Sequence, residues 1–292
     1  MFSLIKKLLP KPVKFGLGRT WEGLKERRRS RPDINERRRV FGRDGNMVPP
    51  TEMMFDGPVG YDLFKENGRE FLAHYINLGG LKPDERMLDL GSGIGRKTLP
   101  LVSYLSRNGS YEGVDIVAKG VKWCADHYTP RYPNFRFQLI DVYNQMYHPE
   151  GTQKAADYKF PFPIEEFDFV VLNSVFTHML APEVENYLSE IARMLKVGGR
   201  CFISFFLLNP ESLESIAQGK STLDLKHDFG PAKAVSKESP EDAIGFDEAY
   251  VKDLYITRGL EIKSPISYGS WCGRTDYLSY QDLIVAVKTA AR

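Results

Sequence analysis

Residues 87–96, Met-Leu-Asp-Leu-Gly-Ser-Gly-Ile-Gly-Arg, constrain this chain more than any other stretch. Residues 87–90 form a short apolar run, the mark of a strand buried on both faces. The run then breaks into Gly91, Gly93 and Gly95 on alternate positions. Glycines so placed accept unusual dihedrals and let a ligand approach the backbone closely. Residues 98–105 follow as a helix in which Pro100 is tolerated because it falls in the first turn. Strand, glycine turn and helix N-terminus together make a nucleotide-type pocket at the edge of an α/β sheet.

The spacing of the glycines separates two kinds of nucleotide. A dinucleotide fingerprint is Gly-x-Gly-x-x-Gly. Here the sixth position is Arg96, and the third glycine arrives one place early at Gly95. Asp89-Leu90-Gly91-Ser92-Gly93-Ile94-Gly95 resembles motif I of the class I S-adenosylmethionine-dependent methyltransferases. Two further strands end in acids, residues 111–115 in Asp115 and residues 135–140 in front of Asp141. A lone strand-end Asp is usually a turn former or a helix cap. Three at this spacing extend the resemblance, which covers about residues 53–288. A helix, the double glycine Gly198-Gly199 and a strand at 201–207 carry it further.

The resemblance implies a Rossmann-like fold: a seven-stranded, mostly parallel sheet with helices on both faces and an antiparallel final strand. It implies S-adenosyl-L-methionine as cofactor, bound by Asp89, Gly91, Ser92, Gly93 and Gly95. Asp115 would take the ribose hydroxyls and Ile116 would cover the adenine. Asp141, with Val142 beside it, would meet the adenine amino group. Asn173 and Ser174 follow the fourth strand, residues 167–172, at the carboxyl edge where ligands bind in open α/β sheets.

Composition sets the domain plan. Residues 1–43 carry 14 Lys and Arg against 4 acids, while the remainder carries 26 against 34. The chain therefore divides into a basic tail, residues 1–45, and a mildly acidic domain, residues 46–292, with insertions at about 142–163 and 209–248. In the tail, Phe2, Leu4, Ile5, Leu8 and Leu9 fall on one helical arc about 160° wide. Its arginine runs fit peripheral contact with an anionic membrane through residues 1–40, or docking on an acidic partner. Cys124, Cys201 and Cys272 are few and far apart, which argues against disulfides and zinc and makes a reducing, cytoplasmic compartment the default, peripheral to the inner membrane face if the tail binds lipid. No apolar run approaches the length of a membrane-spanning helix.

The chemistry centres on His178, just past the fourth strand, as general base. Packing beside the cofactor is its bland alternative. Tyr61, Tyr143, His227, Trp271 and Arg274 are the candidate acceptor contacts. Asn173-Ser-Val-Phe lacks the proline clamp that holds a flipped base. The acidic domain also disfavours a nucleic-acid partner. No spacing among Asp141, Asp224, His227 and Asp228 compels a metal. The expected activity is methyl transfer to a small molecule or glycan, at a hydroxyl. The alternatives are a thiol acceptor, a nucleic-acid acceptor reached through the tail, or a cofactor-binding protein without catalysis.

Overall fold

A computed structural model describes residues 47–290, so the basic tail and its membrane reading lie outside the described residues. A short 3-10 turn, Thr51–Met53, leads through an irregular segment into helix α1 (Tyr61–Asn77). Strand β1 (Arg86–Leu90), helix α2 (Thr98–Tyr104), strand β2 (Ser110–Asp115), helix α3 (Ala118–His127) and strand β3 (Phe135–Leu139) follow. Then come β4 (Phe167–Leu172), α4 (Ala181–Met194), β5 (Leu195–Phe205), β6 (Leu207–Leu208) and α5 (Pro210–Ala217). The chain continues through β7 (His227–Asp228), β8 (Ala232–Ala234), β9 (Ile244–Asp247), α6 (Glu248–Thr257), β10 (Leu260–Ile262) and β11 (Asp282–Lys288).

The main sheet has the order β10-β11-β5-β4-β1-β2-β3. β1 to β5 run parallel, and β11 pairs antiparallel with both β5 and β10. Chain order reverses between β1 and β4, so their carboxyl ends flank the crevice where such sheets bind ligands. The β4 sequence Phe-Asp-Phe-Val-Val-Leu shows why both faces are covered. Phe169 and Val171 enter one buried cluster with α1 and α2 residues such as Tyr75 and Leu101. Val170 and Leu172 enter the other with α4 and α6 residues such as Leu188 and Leu254.

Gly68 interrupts the apolar stripe of α1 for a packing reason. A Cβ there would lie 2.5 Å from the Arg96 carbonyl oxygen, so only glycine lets α1 press against the start of α2. The α4 helix begins at Ala181, where Pro182 sits in its first turn and the Glu183 carboxylate accepts from Leu180 N at 2.7 Å. The strand predicted over 201–207 instead starts at Leu195 and passes through Gly198-Gly199 with a register shift against β4.

The largest departure is the stretch 209–248, which reads as a loop in the sequence. It carries α5 and most of a second sheet of order β6-β9-β8-β7. This small sheet is anchored to the main one by Asp282, whose carboxylate is fully buried at the start of β11. It accepts from Leu207 N at 2.7 Å, Gly269 N at 2.6 Å and Trp271 Nε1 at 2.8 Å, and lies 3.4 Å from Arg274 Nη1. Trp271 and Arg274 are thereby corrected as acceptor contacts. Trp271 is 0 % exposed in a core cluster with Phe206 and Leu225. Arg274 is committed to Asp282, Glu211 and the Gly269 carbonyl.

Candidate functional site

The glycine turn is built as a cradle. Gly91, Gly93 and Gly95 have φ of +98°, +57° and +83°, a region that side chains with a Cβ avoid. A Cβ on Gly91 would meet Val175 Cγ2 at 2.4 Å, and one on Gly93 would meet Asp56 Oδ2 at 2.3 Å. Asp115, at the end of β2, accepts from Gly93 N at 2.7 Å and from Val117 N at 2.8 Å. It therefore fixes the turn and stands at its mouth. Ile116 follows it, and Ile140 N bonds the Asp115 carbonyl, which lays the chain after β3 alongside.

Asp89 is buried beneath the turn, and its Oδ2 accepts from Tyr111 Oη at 2.7 Å. Burial pushes the carboxyls of Asp89 and Asp115 up to about 6. Across the crevice, Asn173 donates to Tyr75 Oη at 2.6 Å, which ties the end of β4 to α1. Ser174 takes a positive φ of 59°, unusual for a residue with a side chain, and its N–H bonds Ser204 Oγ at 2.8 Å. Asp89 Oδ1, Ser92 Oγ, Asn173 Oδ1 and Thr177 Oγ1 are buried without a hydrogen-bond partner. A buried polar atom left unpaired is costly, so four of them on residues 89–92 and 173–177 fit a polar ligand that completes them. The donor-bearing methionine end and ribose of S-adenosylmethionine have that chemistry.

Asp141, implied for the adenine amino group, follows β3 at its carboxyl end. Its carboxylate is exposed and accepts from Thr152 Oγ1 and N, with His148 Nε2 at 3.0 Å. These bonds hold its carboxyl below the usual range. Val142 beside it is buried in the core. Tyr143 stands 42 % exposed on the same insertion, and Tyr61 opens α1, partly buried against the α1–α2 cluster. His227 lies on β7, the far edge of the small sheet.

His178 closes the 3-10 turn Phe176–His178 that follows β4. Its Nδ1 is 2.8 Å from the Glu241 carbonyl oxygen. A carbonyl only accepts, so Nδ1 carries the proton and Nε2 carries the lone pair. Burial lowers its pKa below the ordinary 6.5, which keeps the ring neutral at pH 7. The Tyr147 ring meets it edge-on at 5.6 Å. Burial, followed by the charges of Asp56, Asp115 and Asp242, pushes the Tyr147 hydroxyl up to about 12. One aromatic ring thus links His178 to the carboxylates at the glycine turn. Burial also raises Glu183 to about 7 and lifts Glu241.

Asp56, Arg96, Tyr147 and Glu241 were not foreseen from sequence. Arg96 is visible there only as the residue that displaces a dinucleotide glycine, and no periodicity brings Glu241 to His178. The three cysteines are all free and buried, each in a different core cluster. Burial raises every one of their thiols. Among the described residues no group of His, Cys, Asp and Glu could hold a metal, and no helix is long and apolar enough to cross a membrane.

Residues 88–203 match the family described as a methyltransferase domain. The chain is 28% identical over 155 residues to an arsenite methyltransferase of Rattus norvegicus, covering 52% of this chain and 40% of that protein. An arsenite methyltransferase of Aquipseudomonas alcaligenes is 29% identical over 139 residues, 46% of this chain and 38% of that protein. The chain thus spans about two fifths of the length of these curated relatives. A magnesium protoporphyrin IX methyltransferase of Synechocystis PCC 6803 with bound SAH shares the fold at TM-score 0.50 and 17% identity, over 82% of this chain and 92% of that one. A protein of Pyrococcus horikoshii does so at TM-score 0.51 and 15% identity, over 79% and 93%.

Proposed function

We propose that this chain, which belongs to the class I S-adenosylmethionine-dependent methyltransferases, methylates a hydroxyl of a neutral small molecule or glycan. The observation that carries the acceptor reading is the His178 tautomer set by the Glu241 carbonyl. S-adenosylmethionine supplies an activated methyl group on a sulfonium that leaves without acid assistance. The protein's part is orientation and proton removal. Asp89, the glycine turn, Asp115 and Asn173 would hold the cofactor. His178 Nε2 would take the hydroxyl proton, with Nδ1–H donated to Glu241 and the ring steadied by Tyr147. Asp56, Asp115, Glu241 and Asp242 give the chamber a negative field that repels phosphate or carboxylate acceptors and admits neutral ones.

The curated relatives raise a second reading, arsenite as acceptor. A soft metalloid is held by thiolates. The buried, protonated state of Cys124, Cys201 and Cys272 favours the hydroxyl reading over that one. The test is an acceptor screen read by mass spectrometry, with alcohols, phenols, sugars and arsenite–thiol mixtures offered to the wild type and to His178→Ala. The expected result is an O-methylated product whose turnover falls about 10²- to 10⁴-fold in His178→Ala while cofactor affinity stays unchanged. Methylated arsenic or sulfur made equally fast by both proteins would refute the acceptor reading.

A further inference from the structure

The segment 53–60, ahead of α1, lies on the glycine turn as a strap. We propose that its Asp56 carboxylate is a cofactor-binding group that faces the cationic methionine half of S-adenosylmethionine. This rests on the cofactor reading above and assigns a contact that no motif supplies.

The strap is held at three points. Arg96 is 1 % exposed. Its Nη1 donates to the Pro58 carbonyl at 2.9 Å, its Nη2 donates to the Asp56 carbonyl, and Nη2 lies 3.3 Å from Asp56 Oδ1. The guanidinium also sits over the Phe64 ring, 4.8 Å from its centroid, which fixes it from the α1 side. Gly57, at φ +58°, lies so close to the guanidinium that a Cβ there would meet Nε at 3.1 Å. On the other side of Asp56, the Phe55 ring covers Gly120 of α3, with Lys119 Nζ 4.9 Å from the ring centroid.

Anchored on both sides, Asp56 has little choice of direction. Arg96 takes Oδ1, and Oδ2 projects over Gly93, where an added Cβ would come within 2.3 Å. The carboxylate is thus above the cradle while Asp89 lies beneath it, and Asp115 closes the mouth through Gly93 N. A second observation is the unpaired polar atoms of the cradle. Asp89 Oδ1, Ser92 Oγ and Asn173 Oδ1 are buried and lack partners in the same cradle. Of the cations nearby, Arg96 is engaged by the strap, while Lys97 lies 4.9 Å from the Phe71 ring centroid and is shared between the charges of Asp56, Asp89 and Glu70. A ligand that brings its own positive charge and N–H donors answers both observations.

The test is calorimetry on the full chain with three probes. S-adenosylmethionine carries sulfonium and ammonium, S-adenosylhomocysteine keeps only the ammonium, and 5′-methylthioadenosine carries neither. Asp56→Asn keeps both backbone carbonyls that latch Arg96, and a melting curve verifies its fold. The expected result is a loss of about 10-fold or more for S-adenosylmethionine and no more than about twofold for 5′-methylthioadenosine, with Asp56→Glu restoring the difference. S-adenosylhomocysteine weakened alongside S-adenosylmethionine places the ammonium under Asp56, and spared S-adenosylhomocysteine binding places the sulfonium there. Equal loss of all three probes would make the carboxylate a strap support only and overturn the proposal, as would unchanged S-adenosylmethionine affinity. Wild type that binds 5′-methylthioadenosine and S-adenosylmethionine while Asp56→Asn matches it leaves the cofactor reading standing; wild type that binds neither removes it.

Discussion

Acidification is expected to weaken cofactor binding in a window centred near pH 6, because Asp89 and Asp115 must be ionised to accept the cofactor's hydrogen-bond donors. Burial lifts both carboxyls from 3.8 to about 6, against the hydrogen bond from Tyr111 in one case and the N–H groups of Val117 and Gly93 in the other. Keeping each ionised at neutral pH in the ligand-free protein costs up to about 3 kcal/mol. The folded pKa exceeds the unfolded one, so this penalty is present above pH 6 and fades as the pH falls toward 4. The ligand-free protein therefore gains stability from these two groups on acidification, opposite to a salt-bridged carboxylate. A bound cation favours the ionised form and reverses the sense. Affinity should be constant above about pH 7 and fall about 10-fold by pH 5 if one group must lose a proton, or about 100-fold if both must. Calorimetry at pH 5 to 8, repeated in buffers of different ionisation enthalpy, reads both the affinity and the protons released, which should be near zero at pH 8, half-maximal near pH 6 and larger still at pH 5. Asp89→Asn and Asp115→Asn should each flatten the slope. An affinity for S-adenosylmethionine that is flat from pH 5 to 8, with no proton release, would refute the reasoning.

Asp282→Ala should destabilise the fold by about 3 to 5 kcal/mol, since it strands the N–H groups of Leu207, Gly269 and Trp271 beside a buried Arg274; urea unfolding that shifts by less than about 1 kcal/mol would remove Asp282 as the anchor of the small sheet. The tail is expected to sediment with anionic vesicles, so the full chain should bind them and a chain starting at Phe41 should not. Equal behaviour of the two leaves the tail a partner-docking or solubilising segment.

What could be read from sequence follows from length and locality. Strand Phe167–Leu172 occupies its predicted residues because a nearly continuous apolar run marks it. The glycine turn and Asp115 lie within one strand–turn–helix–strand unit, so their geometry is local. The second sheet escaped because β6, β7 and β8 have only two or three residues each, too few for a period. Trp271 and Arg274 looked like ligand groups because aromatic and cationic residues in a glycine-rich loop resemble a binding loop. Nothing within residues 268–274 reveals that Asp282, several residues on, will bury them. The partners of His178 are illegible for the same reason: Glu241 is 63 residues away in sequence and reaches the imidazole by its backbone carbonyl, which any residue type could present.

That last contact has a consequence for how such a protein diverges. The groups proposed to grip the methyl donor come mostly from one uninterrupted stretch, β1 to β2. The imidazole is instead aimed by a carbonyl from a separate segment, Pro240–Asp242, at the entrance to β9. Insertions or substitutions in 209–247 can re-aim His178 without disturbing a single atom of the glycine turn. On the proposed roles, acceptor choice and donor binding would sit on separate pieces of chain. Grafting that segment between homologues of this fold becomes a direct way to exchange one acceptor for another.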